Sequence, residues 1–169
     1  MLEIISSVSQ LNTESLIAVY QESITASGRE FFSNFSADAQ LAKAEDDFLS
    51  YLRSDFFRAS GAFYAVWLCD KTYCASLRME PYKDGLLLEA LETRPDLRRK
   101  GYAYRLMVAV LKYVVSLGYT RVYSHVNKRN APSIRVHKKV GFQKISDAAT
   151  YIDGTVTRHS YTFCYEVPK

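Results

Sequence analysis

A chain of 169 residues with 48% hydrophobic residues, 14% aromatic residues and a net charge of +4 can bury a core without metal or disulfide support, and reads as one domain over residues 1–169. Its three cysteines, Cys69, Cys74 and Cys164, form no C-x-x-C pair, which argues against a disulfide framework or a zinc site and predicts reduced thiols in a cytoplasmic protein with no bound metal. Glu3 interrupts the first apolar run and no basic segment precedes it, so MLEIISSVSQL does not read as a signal peptide, and no stretch approaches membrane-spanning length.

Residues 2–8 are expected as a first strand. Thr13 reads as the cap of a helix with Leu16, Ile17, Tyr20 and Ile24 on one stripe and Gly28 as its stop. A second helix fits 38–57, capped by Asp38, with Leu41, Ala44, Phe48, Leu52 and Phe56 on one face. REFFSNFSA (29–37) is the loop between them. Three apolar, β-branched or aromatic runs follow at 61–68, 72–79 and 86–93, separated by Asp70-Lys71 and Lys83-Asp84-Gly85, and predict an antiparallel meander. Residues 98–117 carry Ala103, Leu106, Met107, Val110, Leu111, Val114 and Leu117 at helical spacing, with Gly118 as the stop. A strand at 121–126 then leads to a short helix capped by Asn130, with Pro132 in its first turn, ending at Gly141. Two more strands, 141–146 and 156–167, complete the chain. The expected fold is α/β (α+β), a three-layer domain with a mixed, mostly antiparallel sheet and about four helices. The β-α-β unit across 86–126 makes one strand pair parallel.

Charge is unevenly spread. Residues 94–139 hold 12 of the 22 basic residues and one acidic residue, Asp96, so the segment is +11 and the remainder −7. Such a field implies an anionic partner, either nucleic acid or a small polyphosphate. Within it, Arg98-Arg99-Lys100-Gly101-Tyr102-Ala103 lies where a strand gives way to a helix. Gly101 permits a positive φ or close approach of a ligand, and the free N–H groups of the helix start favour an anion. The segment matches neither G-x-G-x-x-G nor G-x-x-x-x-G-K-[ST].

LEALETRPDLRRKGYAYRLM resembles the central motif of the GNAT N-acetyltransferase superfamily, R/Q-x-x-G-x-G/A, through Arg98, Gly101 and Ala103. A second stretch, Asn130 to Phe142, is similar to that family's N-x-x-[AS]-[IR]-x-[LV]-[YH]-x-x-x-G-F. The resemblance covers 86–142 by motif and the rest of the chain by element order. It implies an acyl-CoA N-acyltransferase-like fold and an acetyl-CoA-dependent N-acetyltransferase that transfers acetyl directly to a small-molecule amine or amino acid. The backbones of Leu91, Glu92 and Thr93 would then pair with pantetheine. The N–H groups from Arg99 to Tyr104, with Arg98, Arg99, Lys100, Gly101, Tyr102, Ala103 and Tyr104 as the cradle, would hold the pyrophosphate. Asn130 and Ser133 open the second motif and would contact the cofactor.

The chemistry needs a neutral amine, a polarised thioester carbonyl and help for the departing thiolate. The resemblance places the base at Glu89, which is read either in that role or as the partner of a basic neighbour. Strand alternation puts Glu89 on one face with Leu87, Leu91 and Thr93, and Glu92 on the other. His137 stands where the family's usual acid, a tyrosine, would be, and is read either as a hydrogen-bond donor to sulfur or as a packing residue. Acceptor contacts would come from 28–37, with Phe31, Phe32 and Phe35, and from 147–158, with Tyr151, Asp153 and Arg158. Asp153 also reads as the turn residue before Gly154. Two other readings stay open: a non-catalytic acetyl-CoA sensor, and a basic nucleic-acid-binding module. The chain has no helix-turn-helix, zinc or RNP signature to support the second. A homodimer stays open; no membrane partner is expected.

Overall fold

The computed structural model describes residues 1–167, so the last two residues of the expected domain lie outside the described residues. Nine strands form in chain order with four helices between them: β1 (Leu2–Ile5), α1 (Thr13–Phe31), α2 (Ala37–Ser54), β2 (Phe63–Cys69), β3 (Thr72–Tyr82), β4 (Gly85–Thr93), α3 (Tyr102–Ser116), β5 (Arg121–Asn127), α4 (Ala131–Val140), β6 (Gln143–Ser146), β7 (Ala149–Thr150), β8 (Val156–Thr157) and β9 (Ser160–Glu166). Seven strands make one sheet in the order β1-β2-β3-β4-β5-β9-β6, and β7 and β8 form a small separate hairpin. The β4–β5 pairing is parallel, and the other pairings are antiparallel.

Three layers result, as the alternating patterns imply. On one face Leu106, Met107, Val110 and Val114 of α3 pack with Ala65, Leu77, Met79, Leu86 and Leu88 of the sheet, joined by Ile134 and Val136 of α4. On the other face Leu16, Val19, Tyr20 and Ile24 of α1 and Leu52 of α2 pack on Tyr64 and Val66. A fully buried aliphatic side chain of this kind contributes about 1.5–3 kcal/mol.

Several expected boundaries move for tertiary reasons. Gly28 does not stop α1, which runs on to Phe31. A Cβ at Gly28 would lie 2.7 Å from the Gln40 carbonyl oxygen, so this glycine lets α1 and α2 cross closely. Asn12, not Thr13, caps α1, its side chain accepting the Ser15 N–H at 2.9 Å. Ser36 precedes α2 in place of Asp38, and α2 ends at Ser54, followed by a 3₁₀ turn at Phe56–Arg58. Helix α3 starts at Tyr102 rather than 98; residues 95–97 are a 3₁₀ turn and 98–101 a non-helical turn.

Cys69 and Cys74 bring their sulfur atoms together across the β2–β3 turn, with Cα atoms 6.1 Å apart, and Cys164 is free and buried. Asp70 and Lys71 both take positive φ in that turn and fold the strands back on each other.

Candidate active site

Strands β4 and β5 pair only at Leu86–Val122, Leu87–Tyr123 and Leu88–Ser124. Beyond that point β4 continues to Thr93 and β5 to Asn127, and they diverge. A cleft of about 1010 Å³ opens between them. Its walls are β4 from Leu88 to Thr93, β5 from Ser124 to Asn127, the starts of α3 and α4, and Glu22 and Ser23 of α1.

The sequence bends β4 at this place. Pairing with β3 passes from Ser76–Glu92 to Arg78–Glu89, so β4 uses three residues where β3 uses two. Ala90 takes up the difference with φ +50°. The bulge overturns the simple alternation. Glu89 meets Arg78, which lies against the Tyr51 ring of α2, while Glu92 accepts a hydrogen bond from the Ser23 hydroxyl of α1. Both carboxylates therefore face the α1–α2 layer. Leu91 packs with the α3 core instead, on the face opposite Glu89.

Glu89 and Arg78 form an ion pair at 2.9 Å, with side-chain exposures of 14% and 23%, and the Tyr51 hydroxyl accepts a second guanidinium N–H at 3.2 Å. Only Oε2 of Glu89 is engaged; Oε1 meets no donor among the described residues. Burial raises Glu92 above the ordinary carboxylate value, Ser23 and Arg98 act against that shift, and Glu22 adds to it.

At the mouth of the cleft Arg99 has φ +62° and Gly101 φ +83°. Backbone that alternates in hand turns its N–H groups toward one side. Gly101 is the N-cap of α3 and supplies no capping side chain, so the first-turn N–H groups have no side-chain acceptor. A Cβ at Gly101 would meet nothing within 4 Å, so the cradle is open on that side. Gly101, Ala103 and Tyr104 line the cleft together with Arg98 and Arg99. Lys100 is exposed outside it, and the Tyr102 ring packs on the α3 core under Arg105. Arg98 is held by Glu22 at 2.7 Å and reaches the Thr93 carbonyl at 3.3 Å. These groups suit a diphosphate: free N–H donors, a helix N-terminus and exposed cations.

The second motif lies on the facing wall. The Asn130 side chain caps α4 by accepting the Ser133 N–H at 3.1 Å, and both residues line the cleft. His137 is 1% exposed. Its Nδ1–H donates to the Ser133 carbonyl at 2.8 Å, and its Nε2 accepts the Ser124 hydroxyl at 2.9 Å. Both ring nitrogens are thus hydrogen-bonded within the fold, and the ring lies at the cleft wall.

Burial holds His137 below the ordinary histidine value of 6.5. The unfolded chain then takes up the proton first as the pH falls. The stability that neutral His137 contributes is full above the unfolded value and is lost as the pH falls toward the lower folded value. Thermal melts should therefore show falling stability from pH 7 to pH 5. His137→Gln should flatten that slope without removing it, because burial also lowers His125.

Sequence reasoning missed Glu22, Ser23, Ser124, His125 and Arg135, all of which line the cleft. His125 donates from Nε2 to the Thr150 carbonyl at 3.0 Å and stacks edge-on to Tyr151. No local pattern marks these residues, because the divergence of two strands brings them together. No residue of 28–37 or 147–158 lines the cleft itself, but Thr150 and Tyr151 of the second segment pack against His125 on its wall. Phe31 and Phe35 are exposed, Lys43 lies over the Phe32 and Phe35 rings, and Asp153 is a turn residue that accepts the Thr155 N–H at 2.8 Å. Among the described residues no cluster of three or more metal-ligating side chains occurs, and no helix is long and apolar enough to cross a membrane.

The profile of the acetyltransferase (GNAT) family matches residues 26–142, and the chain belongs to that family. Solved structures share its fold along nearly the whole length. The PaiA N-acetyltransferase of Thermoplasma acidophilum in complex with coenzyme A is 14% identical over 99% of both chains, with a TM-score of 0.66. The ribosomal-protein-S18-alanine N-acetyltransferase of Escherichia coli is 18% identical over 100% of this chain and 96% of its own, with a TM-score of 0.61. An aminoglycoside 6′-acetyltransferase type Ii is 12% identical over 100% and 99%, with a TM-score of 0.66. No curated protein sequence matches the chain.

Proposed function

We propose that this chain is a single cytoplasmic N-acetyltransferase domain that uses acetyl-CoA and acts on a small-molecule amine. The observation that carries the reading is the gap between β4 and β5, which opens at Leu88 and Ser124 and ends at the uncapped start of α3. Leu91 to Thr93 offer a free strand edge to the amides of pantetheine. The N–H groups from Arg99 to Tyr104 take the pyrophosphate, with Arg98, Arg99 and Lys100 supplying charge. Asn130 and Ser133 flank the cofactor from α4. Acetyl-CoA brings the activated thioester.

In this reading Glu89 is the base. Arg78 fixes one of its oxygens, and the other takes the amine proton directly or through water. The Leu91 N–H polarises the thioester oxygen. His137 holds Ser124 and the first turn of α4 in place rather than donating a proton. The positive ends of α3 and α4 both open on the cleft and favour the phosphates and the charge that develops on the departing sulfur. Glu89 and Glu92 offer carboxylate oxygens to an amine on the α1 side of the cleft, with Arg78 and Arg98 beside them.

Acetyl-CoA is expected to raise the melting temperature, and duplex DNA and RNA are not. Thiol release across a panel of small amines, amino acids and peptides is expected with at least one small amine. Binding with no turnover across the panel would make the protein a sensor; no response to acetyl-CoA would overturn the reading.

A further inference from the structure

Ala90 is the only residue other than glycine with positive φ inside a described strand; the other four lie in turns. That conformation costs an alanine about 1–2 kcal/mol and persists only where surrounding groups hold it. Here one group does so visibly. The Tyr20 hydroxyl, on α1 and 70 residues away in sequence, donates to the Ala90 carbonyl oxygen at 2.6 Å. Tyr20 is 3% exposed, and Phe48 and Tyr64 seat its ring edge-on or tilted at 5.5 and 6.4 Å. Burial raises its phenol well above the ordinary value, so it keeps its one proton, and that proton is committed to Ala90.

The consequence falls on the next residue. The Ala90–Leu91 peptide is trans and planar, so its N–H points opposite to its carbonyl, away from Tyr20. The ladder gives the same direction. Arg94 donates to the Cys74 carbonyl at 2.9 Å, and Glu92 is paired with Ser76, so the N–H groups of Arg94 and Glu92 face β3. By antiparallel alternation those of Leu91 and Thr93 face the gap left by β5. A donor on the carbonyl also polarises the amide and strengthens its N–H.

We propose that Tyr20 is a positioning residue for acetyl transfer: by holding the Ala90 carbonyl it aims the Leu91 N–H into the β4–β5 gap and strengthens it as a donor to the thioester oxygen. The inference rests on the acetyltransferase reading above. Tyr20 touches neither substrate nor cofactor; it acts through one peptide group.

The test is Tyr20→Phe, which keeps the ring and removes the donor. The expected result is a fall in kcat of about tenfold or more, with the Kd for acetyl-CoA within twofold of wild type. In the protein without ligand, the Leu91 amide proton should move upfield, and a site-specific fluorotyrosine at position 20, a stronger donor of the same shape, should move it downfield. Val19→Ala loosens α1 beside Tyr20 without touching the bond, and should lower the melting temperature while kcat stays within twofold. A Tyr20→Phe kcat within threefold of wild type, a loss no greater than that of Val19→Ala, or an unmoved Leu91 resonance overturns the proposal. If the wild type acetylates no amine, the acetyltransferase reading fails, and the Leu91 resonance alone decides whether Tyr20 sets that peptide.

Discussion

Gly101→Val is expected to weaken acetyl-CoA binding about 100-fold. Gly101 sits at φ +83°, and a β-branched side chain there costs at least about 1–2 kcal/mol of backbone strain. Relief of that strain swings the 101–102 peptide and takes N–H donors away from the cradle. Each charge-assisted bond lost costs about 1.5–3 kcal/mol. Together these terms reach about 3 kcal/mol, and about 1.4 kcal/mol corresponds to each factor of ten. The fold itself should lose no more than this backbone strain, because the new Cβ meets nothing within 4 Å. Gly101→Asn separates the two causes, since asparagine tolerates the left-handed region. If binding weakens with Asn as well, the open space beside Gly101 belongs to the ligand. Isothermal titration with acetyl-CoA, paired with thermal melts, reads both effects; unchanged affinity in Gly101→Val would remove this turn from the cofactor site.

Glu89→Gln is expected to lower kcat by about 100-fold, in the range of a lost general base, with little change in acetyl-CoA affinity. The acidic limb of the pH–rate profile, which the base sets, should move or vanish. The substitution also has a structural effect. Arg78 is 23% exposed at its side chain, its Nε has no partner, and Glu89 is its counter-charge. Loss of that charge should cost about 1–3 kcal/mol. Glu92→Gln should behave in the opposite way. Burial raises the folded-state value of Glu92, so its ionised form opposes folding, and stability from this group falls as the pH rises through its unfolded and then its folded value. Glu92→Gln should therefore melt no lower than wild type at pH 8, and Glu89→Gln should melt lower. Equal turnover of Glu89→Gln and wild type, with an unchanged pH profile, would take Glu89 out of the mechanism.

The layers, the element order and the two motifs were legible because they depend on local periodicity and on residues near one another in sequence. Leu106 to Val114 announce α3, and Asn130 with Pro132 announces α4. Part of the one-sided charge falls on the cleft: Arg98, Arg99, Arg135 and Lys139 all line it. What was not legible depends on distant partners. A period of two presumes a regular strand, so Glu89 and Glu92 were expected on opposite faces; the bulge that aligns them needs β3 as its ruler and Tyr20 as its anchor. Gly28 looks like a helix stop until α2 is laid against it. The partners of His137 were not legible either, because Ser124 reaches it from β5. The cleft walls also hold Glu22, Ser23 and His125, which no spacing rule connects.

The divergence of β4 from β5 has a further meaning for a protein in a crowded solution. An unpaired strand edge invites strands from other chains, and it is a familiar route to aggregation. Here that edge is short, lies in the middle of the sheet rather than at its rim, and is bent by a left-handed alanine that spoils the flat pleat a guest strand would need. In the reading proposed above, a thin molecule with amide groups and no side chains, such as the pantetheine arm, would lie along the Leu91 to Thr93 edge. The bend that spoils this edge for a guest strand would be no obstacle to such a ligand.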